Sequence, residues 1–104
     1  RAGDLLGATP MDRPEDVEPD PRSGRVWVML TNNSRRKASE VNPANPRAEN
    51  RFGHIIEIRE PGGDFTATTS RWEILVRCGD PANPAVGATW NAATSPNGWL
   101  GSPD

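Results

Sequence analysis

The chain is 104 residues long, carries a formal charge of −2 and has a pI near 5.4. That length allows one domain, and the acidic balance argues against general nucleic-acid binding. Leu, Ile, Val and Phe together make up only 17 residues, which is below the roughly 20% usual for a folded globular chain. Four tryptophans add buriable area, and the net charge is small. We therefore expect a chain that folds, that is only marginally stable by itself and that is part of a larger protein.

The first third of the chain is predicted to hold two short strands. Residues 1–14 form an irregular lead-in segment, and a short strand is expected at residues 16–18. The turn at residues 19–24 has prolines that set φ, an aspartate that can bond the backbone and a glycine that permits positive φ. Residues 25–30 are apolar on both faces of a period-two pattern, which is typical of a strand held between two layers.

A long polar loop at residues 32–51 separates these strands from two more. Loops of this length in a compact domain are often functional or lie over a site. Strands are predicted at residues 54–59 and 70–77, with a turn at residues 61–64 and a β-leaning segment at residues 66–69.

The predicted fold class is therefore all-β. Four turn-separated strands favour an antiparallel four-stranded meander, about one blade of a β-propeller with long loops. Residues 15–77 would form this blade-like sheet, and residues 78–104 would form an irregular tail that leads to the next blade.

A lone blade would expose apolar faces such as Val26, Val28 and Leu30, and such faces need partners. We therefore predict packing against the remainder of a propeller or against another copy of the chain. The longest apolar runs fall far short of 18 residues, so no membrane span is predicted.

Cys78 is the single cysteine, so an internal disulfide is excluded. It follows an apolar strand pattern, which favours a buried structural thiol. A nucleophilic role would need an activating base, and the single histidine is His54. Nothing in the sequence places the two side chains together. His54 is predicted to be a strand residue with a satisfied ring rather than a metal ligand.

Two polar features of the long loop have simple interpretations. The basic cluster at residues 35–37 is interpreted as a solvated loop, with a phosphate or partner contact as the alternative. For Asn32 and Asn33, turn formation is favoured over lining a channel.

The segment from Met11 to Glu15 is the most suggestive of chemistry. Pro14 fixes its own φ and restricts Arg13, so two functional groups sit on a stiffened backbone. The Arg13 guanidinium is a rigid fork that suits a phosphate or carboxylate, and the Glu15 carboxylate suits a hard cation. The alternative is an ordinary surface ion pair at a junction between loop and strand, which would be weak.

Five groups of residues, in one order along nearly the whole chain, together resemble the PhoX-type alkaline phosphatases, a family of exported bacterial propeller enzymes. The matching residues are Gly7–Thr9 with Met11–Glu15, Leu30–Ser34, Asn45–Arg47 with Asn50–Ile55, Gly79–Pro81, and Gly101–Asp104.

The resemblance implies phosphomonoester hydrolysis by a periplasmic or secreted enzyme, with ferric iron and calcium ions clustered in the central channel. It implies that Arg13 contacts phosphate and that Glu15 and Asp104 are metal ligands. The family also needs a ligating cysteine and further carboxylates outside this chain, and Cys78 does not align with that cysteine. We therefore expect a fragment that is inactive alone.

Two interpretations remain open from the sequence. One is a piece of a metal-dependent phosphatase, and the other is a propeller-like binding or scaffold module without catalysis, since a fold does not fix a function. For Asp104 the structural alternative is a disordered terminal residue.

Overall fold

The computed structural model describes residues 2–89 and Pro103. Within them the chain forms one antiparallel sheet with strands in chain order, as predicted. The four strands are β1 (Pro14–Pro19), β2 (Val26–Leu30), β3 (His54–Arg59) and β4 (Arg71–Arg77). Each strand pairs with the next along the chain, so the meander prediction is confirmed.

The observed secondary structure differs from the sequence prediction in three places. The lead-in segment contains one short helix, α1 (Ala2–Leu5), rather than being wholly irregular. Strand β1 begins at Pro14 and ends at Pro19, because an edge strand tolerates proline at positions where no ladder donor is needed. The segment at residues 66–69 is not a strand: the Asp64 carboxylate accepts from Thr66 N and the Asp64 carbonyl from Ala67 N, which closes a turn.

The turn between β1 and β2 is built as its residues predict. The Asp20 carboxylate accepts a bond from Arg22 N at 3.0 Å, and Asp20 N donates to the Arg25 carbonyl at 2.7 Å. Gly24 adopts a positive φ of 69°, a conformation that costs glycine little. This tight connection places β1 directly beside β2.

The core lies on one face of the sheet. Its buried apolar side chains are Val28, Leu30, Ala44 and Ile56. Ala44 comes from the long loop, which folds back over the sheet. The loop therefore covers Val28 and Leu30, and the expectation that these two residues need an outside partner is wrong.

Other apolar side chains on the same face stay open. Val17 pairs across β1 and β2 with Val28, and Trp72 pairs across β3 and β4 with Ile58. Val17 is 54% exposed and Trp72 is 46% exposed. Packing against the remainder of a propeller or a second copy stays a prediction, and it now concerns these side chains.

The opposite face of the sheet carries a charged cluster. Glu57 lies at the centre of β3 and is 1% exposed. It accepts a bond from Trp27 Nε1 at 2.9 Å and from Arg59 Nε at 2.5 Å, and it pairs with Arg25 at 3.5 Å. Arg59 also bonds Glu73 at 2.7 Å, so it bridges two carboxylates that face each other across β3 and β4.

Gly53 lets the long loop return closely to the sheet. Its φ is +71°, and a Cβ there would lie 2.3 Å from the Leu30 carbonyl oxygen. No other residue fits this approach without a backbone shift. Gly53 thus sets the start of β3 and the position of His54 against Leu30.

No helix among residues 2–89 is long and apolar enough to cross a membrane.

Candidate functional site

Arg13 and Glu15 meet at the junction between the lead-in segment and β1. Arg13 Nη2 lies 3.2 Å from Glu15 Oε1, and their side chains are 59% and 47% exposed. Arg13 Nη1 also donates to Asn32 Oδ1 at 3.4 Å. Asn32 is the second residue after the end of β2. The segment that follows this strand therefore supplies the second contact of the guanidinium. Both sequence-predicted side chains of this segment therefore lie together and reach solvent.

The Arg13 backbone has an unusual conformation. Its φ is +21°, a sparsely populated value for a residue with a side chain. The Arg13 carbonyl accepts bonds from Thr31 N at 3.0 Å and from Thr31 Oγ1 at 3.3 Å. Sparsely populated backbone conformations persist where the surroundings fix them, and they concentrate at functional sites.

Glu15 lies in a β-bulge. Pro14 pairs with Leu30 and Asp16 with Met29, so Glu15 is the extra residue between two successive pairs. A bulge redirects a side chain relative to the regular sheet. Two successive irregularities, at residues 13 and 15, thus present a guanidinium and a carboxylate side by side at the edge strand.

Asp12, the residue before Arg13, is fully buried. Its carboxylate accepts bonds from Asn33 Nδ2 at 2.8 Å, from Arg36 Nε at 2.5 Å and from Asn50 Nδ2 at 3.1 Å. Arg36 is itself only 8% exposed and donates through Nη1 to the Glu40 carbonyl at 2.7 Å. The charge of Asp12 is therefore compensated by a cation and two amides, as a buried charge requires.

This cluster corrects the solvated interpretation of the basic residues. Arg35 and Lys37 are exposed, as expected, whereas Arg36 turns inward to Asp12. Asn33 forms the predicted turn, since its Oδ1 accepts from Arg35 N at 3.2 Å, and its amide nitrogen also serves Asp12. The sequence analysis placed Asp12 in the suggestive segment but gave it no role.

The cluster extends to the backbone before Asp12. Asp12 N donates to Asn45 Oδ1 at 2.7 Å, and Asn45 Nδ2 donates to the Pro10 carbonyl at 2.7 Å and to Asn42 Oδ1 at 2.9 Å. Asn45 is fully buried. One loop side chain therefore holds residues 10–12 at two points.

His54 closes the other side of the cluster. Its Nδ1 lies 3.2 Å from Asn50 Nδ2, and its Nε2 lies 2.7 Å from the Ala44 carbonyl. These partners fit a neutral ring that donates through Nε2 and accepts at Nδ1. Burial lowers the pKa of His54 below its ordinary value, which also favours the neutral form. The prediction of a strand histidine with a satisfied ring is confirmed.

Cys78 is buried, as predicted. Burial raises the pKa of its thiol to about 11, so the reactive thiolate is disfavoured at neutral pH. The neighbouring backbone is fixed by Arg47, which donates to the Cys78 carbonyl at 2.8 Å and to the Gly53 carbonyl at 2.5 Å. These contacts agree with a structural role for Cys78.

A family model described as alkaline phosphatase PhoX matches residues 1–104. The chain belongs to the PhoX alkaline phosphatase family. Among solved structures, it is similar to Pseudomonas fluorescens PhoX in complex with vanadate, a transition state analogue, at 34% identity and a TM-score of 0.87. The match covers 99% of this chain and 18% of that chain. No curated protein matches.

The PhoX match confirms the family resemblance and the fold class. PhoX is a propeller-type enzyme, and the four-stranded antiparallel meander is the architecture expected of one blade. The chain spans less than a fifth of the length of the P. fluorescens protein, so the activity of a whole PhoX enzyme is not assigned to it by the match alone.

Of the two predicted metal ligands, Glu15 lies within the described residues. Asp104 lies outside the described residues. Within residues 2–89, no group of three or more His, Cys, Asp or Glu side chains is placed to hold a metal ion. Glu15 is an exposed carboxylate with the oxygen donors that hard cations prefer, so the described part of the chain offers one candidate ligand and not a complete site.

A separate cleft of about 430 Å³ is lined by several residues, among them Arg47, Arg51, Phe52 and Arg77. Its lining includes neither Arg13 nor Glu15. We therefore do not assign this cleft to the candidate site.

Proposed function

We propose that this chain is one part of a PhoX-type phosphatase that hydrolyses phosphate monoesters. In this proposal Arg13 contacts the phosphate, Glu15 and Asp104 are metal ligands, and the chain alone is inactive. The observation that carries the proposal is the pairing of an exposed guanidinium and an exposed carboxylate on two successive backbone irregularities. Family membership gives this pairing its chemical meaning.

Arg13 has the chemistry that a phosphate-binding group needs. Its planar fork can donate two parallel bonds to phosphoryl oxygens. Donors that are fixed in advance stabilise the charge that develops during phosphoryl transfer. The contact with Asn32 holds one side of the guanidinium. The ion pair with Glu15 is exposed and therefore weak, so little free energy opposes an exchange of partners.

Glu15 would supply one carboxylate to a cluster of calcium and ferric ions. The remaining ligands would come from Asp104 and from residues beyond this chain. Cations bound there would act as Lewis acids that stabilise charge on the phosphoryl oxygens. The donor chemistry fits, although one described carboxylate is too few to hold an ion by itself.

The remaining parts of the proposal follow from the family alone. We place the complete protein in the periplasm or outside the cell, and its substrate among phosphate monoesters. The sheet face that contains Val17 and Trp72 would pack against the remainder of the propeller.

The proposal is tested by p-nitrophenyl phosphate hydrolysis in the complete protein with Arg13→Ala, Arg13→Lys or Glu15→Gln. Loss of one fixed donor to a developing oxyanion costs about 10²–10³-fold in turnover, so we expect a loss of that order for Arg13→Ala. Arg13→Lys should recover little of it, because a point charge does not replace the fork.

The matched control is Arg22→Ala, in the exposed turn between β1 and β2, which should leave turnover unchanged. Wild-type turnover in both Arg13 variants would contradict the proposed role. In that case the non-catalytic binding module becomes the better interpretation of this segment.

A further inference from the structure

The backbone on both sides of Arg13 is clamped. On the N-terminal side, Asp12 is held by one bond to its N–H and three to its carboxylate. On the C-terminal side, the Arg13 carbonyl accepts two bonds from Thr31. Between these anchors Arg13 adopts its positive φ, and its side chain is exposed.

Asp12 differs from the residues before it in its burial and in the sequence distance of its partners. Residues 2–11, which precede it, are all exposed. Asp12 is fully buried, and its carboxylate binds loop residues that lie 21 to 38 positions further along the chain. A buried ion pair is weak evidence for stability in itself, and in some proteins buried charged groups are retained because they favour one specific conformation.

We infer that Asp12 is a positioning residue for phosphate binding: its buried carboxylate, held by Arg36, Asn33 and Asn50, fixes the backbone that aims the Arg13 guanidinium. This inference rests on the proposed function of Arg13. Asp12 itself does not touch the substrate. Arg36 shares the role, because it anchors Asp12 to the loop carbonyl of Glu40.

Asp12→Asn is the direct test, because it keeps the shape and removes the charge. All three carboxylate partners are donors, so the new amide nitrogen faces at least one donor and the anchor loosens. A small misplacement of a catalytic group costs about 10²-fold. We expect Asp12→Asn to lower kcat/KM for p-nitrophenyl phosphate by about that factor and to weaken inhibition by inorganic phosphate.

A double-mutant cycle separates positioning from general damage to the fold. If Asp12 acts through Arg13, the variant Asp12→Asn/Arg13→Ala should be no slower than Arg13→Ala alone, because the positioned group is already gone. If Asp12 only supports the fold, the two losses should multiply. Multiplying losses would overturn the inference.

Arg36→Lys can replace Asp12→Asn in the same double-mutant cycle, and it perturbs the buried cluster less. It keeps a positive charge near Asp12 and removes the guanidinium that joins Asp12 to Glu40. Should Asp12→Asn fail to fold, the cycle of Arg36→Lys with Arg13→Ala decides by the same criterion. Thermal unfolding of each variant identifies those that are folded.

The inference and the proposed function fail in different ways. Unchanged turnover in Arg13→Ala would remove the proposed function and the inference with it. Reduced turnover in Arg13→Ala would support the proposed function. If folded Asp12→Asn then showed the turnover and the phosphate inhibition of the wild type, the inference alone would fail. Equal loss in Arg13→Ala and in the double variant, together with a loss in Asp12→Asn, is the result that we expect.

Discussion

Single residues of this chain take their positions from contacts that are distant in sequence. Arg13 has a long, exposed side chain. Its backbone is nevertheless held by the bonds of Asp12 on one side and of Thr31 on the other. Arg36 belongs to a basic cluster that composition marks as solvated, yet it is buried against Asp12. In both cases the partner decides the role of the residue.

Gly53 gives a prediction at this scale. In Gly53→Ala, the new Cβ would lie 2.3 Å from the Leu30 carbonyl oxygen, at a φ of +71° that an alanine resists. We expect a loss of about 2 kcal/mol or more in the free energy of unfolding, from strain and displaced backbone together. The midpoint of chemical unfolding of the complete protein measures it.

The matched control for Gly53 is Gly62→Ala. Gly62 has a similar φ of +64°, and nothing lies within 4 Å of its added Cβ, so this variant carries the conformational cost alone. That cost is about 1 kcal/mol. Equal destabilisation by the two substitutions would show that the close approach at Gly53 is unimportant.

At the scale of elements, the strands could be predicted from the sequence and the buried cluster could not. Strand β2 has apolar residues on both faces, and the turn at Asp20 contains the proline, aspartate and glycine residues that favour a turn. The local sequence is therefore enough to predict both elements. The Asp12 cluster joins residues 24 and 38 positions apart. Asn and Arg side chains are usually exposed, and only their partners make burial favourable.

One feature of the sequence did indicate the cluster indirectly. The loop at residues 32–51 is unusually long and rich in asparagine, and its length predicts a functional role. The structure shows that its asparagines bind Asp12, the backbone before it and His54. The pairing of each asparagine depends on the return of the loop over the sheet, which local pattern does not specify.

Glu57 gives a prediction at the scale of the sheet. Burial alone would raise its pKa, but bonds from Trp27 and Arg59 and the charge of Arg25 outweigh burial and lower it. A lowered folded-state pKa contributes stability that is complete above the unfolded value, near 4.5, and is lost as pH falls through the folded value. Wild-type stability should therefore fall below about pH 4.5.

Glu57→Gln should remove this pH dependence. At pH 7 the variant should be less stable by about 1–2 kcal/mol, as expected for loss of charge-assisted bonds, and the difference from wild type should shrink as pH falls from 5 to 3. Unfolding midpoints across that range measure it. Glu73→Gln, at an exposed partner of Arg59, should cost less than about 0.5 kcal/mol at any pH. A difference for Glu57→Gln that is constant with pH would contradict the account.

At the scale of the whole molecule, residues 2–89 fold into one sheet and place no group of three or more His, Cys, Asp or Glu side chains to hold a metal ion. The chain matches P. fluorescens PhoX with a TM-score of 0.87, and it covers 18% of that chain. Exposed apolar side chains such as Val17, Phe65 and Trp72 are available to pack against another part of a propeller or another copy of the chain. The described residues offer one phosphate-binding candidate, Arg13, and one metal-ligand candidate, Glu15, and under the proposed function the other ligands come from Asp104 and from residues beyond this chain.

The most direct measurement is hydrolysis of p-nitrophenyl phosphate with added Ca²⁺ and Fe³⁺, made side by side on the 104-residue chain, the complete protein and the complete protein with Arg13→Ala. We predict turnover in the complete protein, none in the chain alone and a loss of about 10²-fold or more in the variant. Turnover by the chain alone would contradict the incomplete site. An inactive complete protein would contradict the proposed phosphatase, and a fully active variant would contradict the role of Arg13.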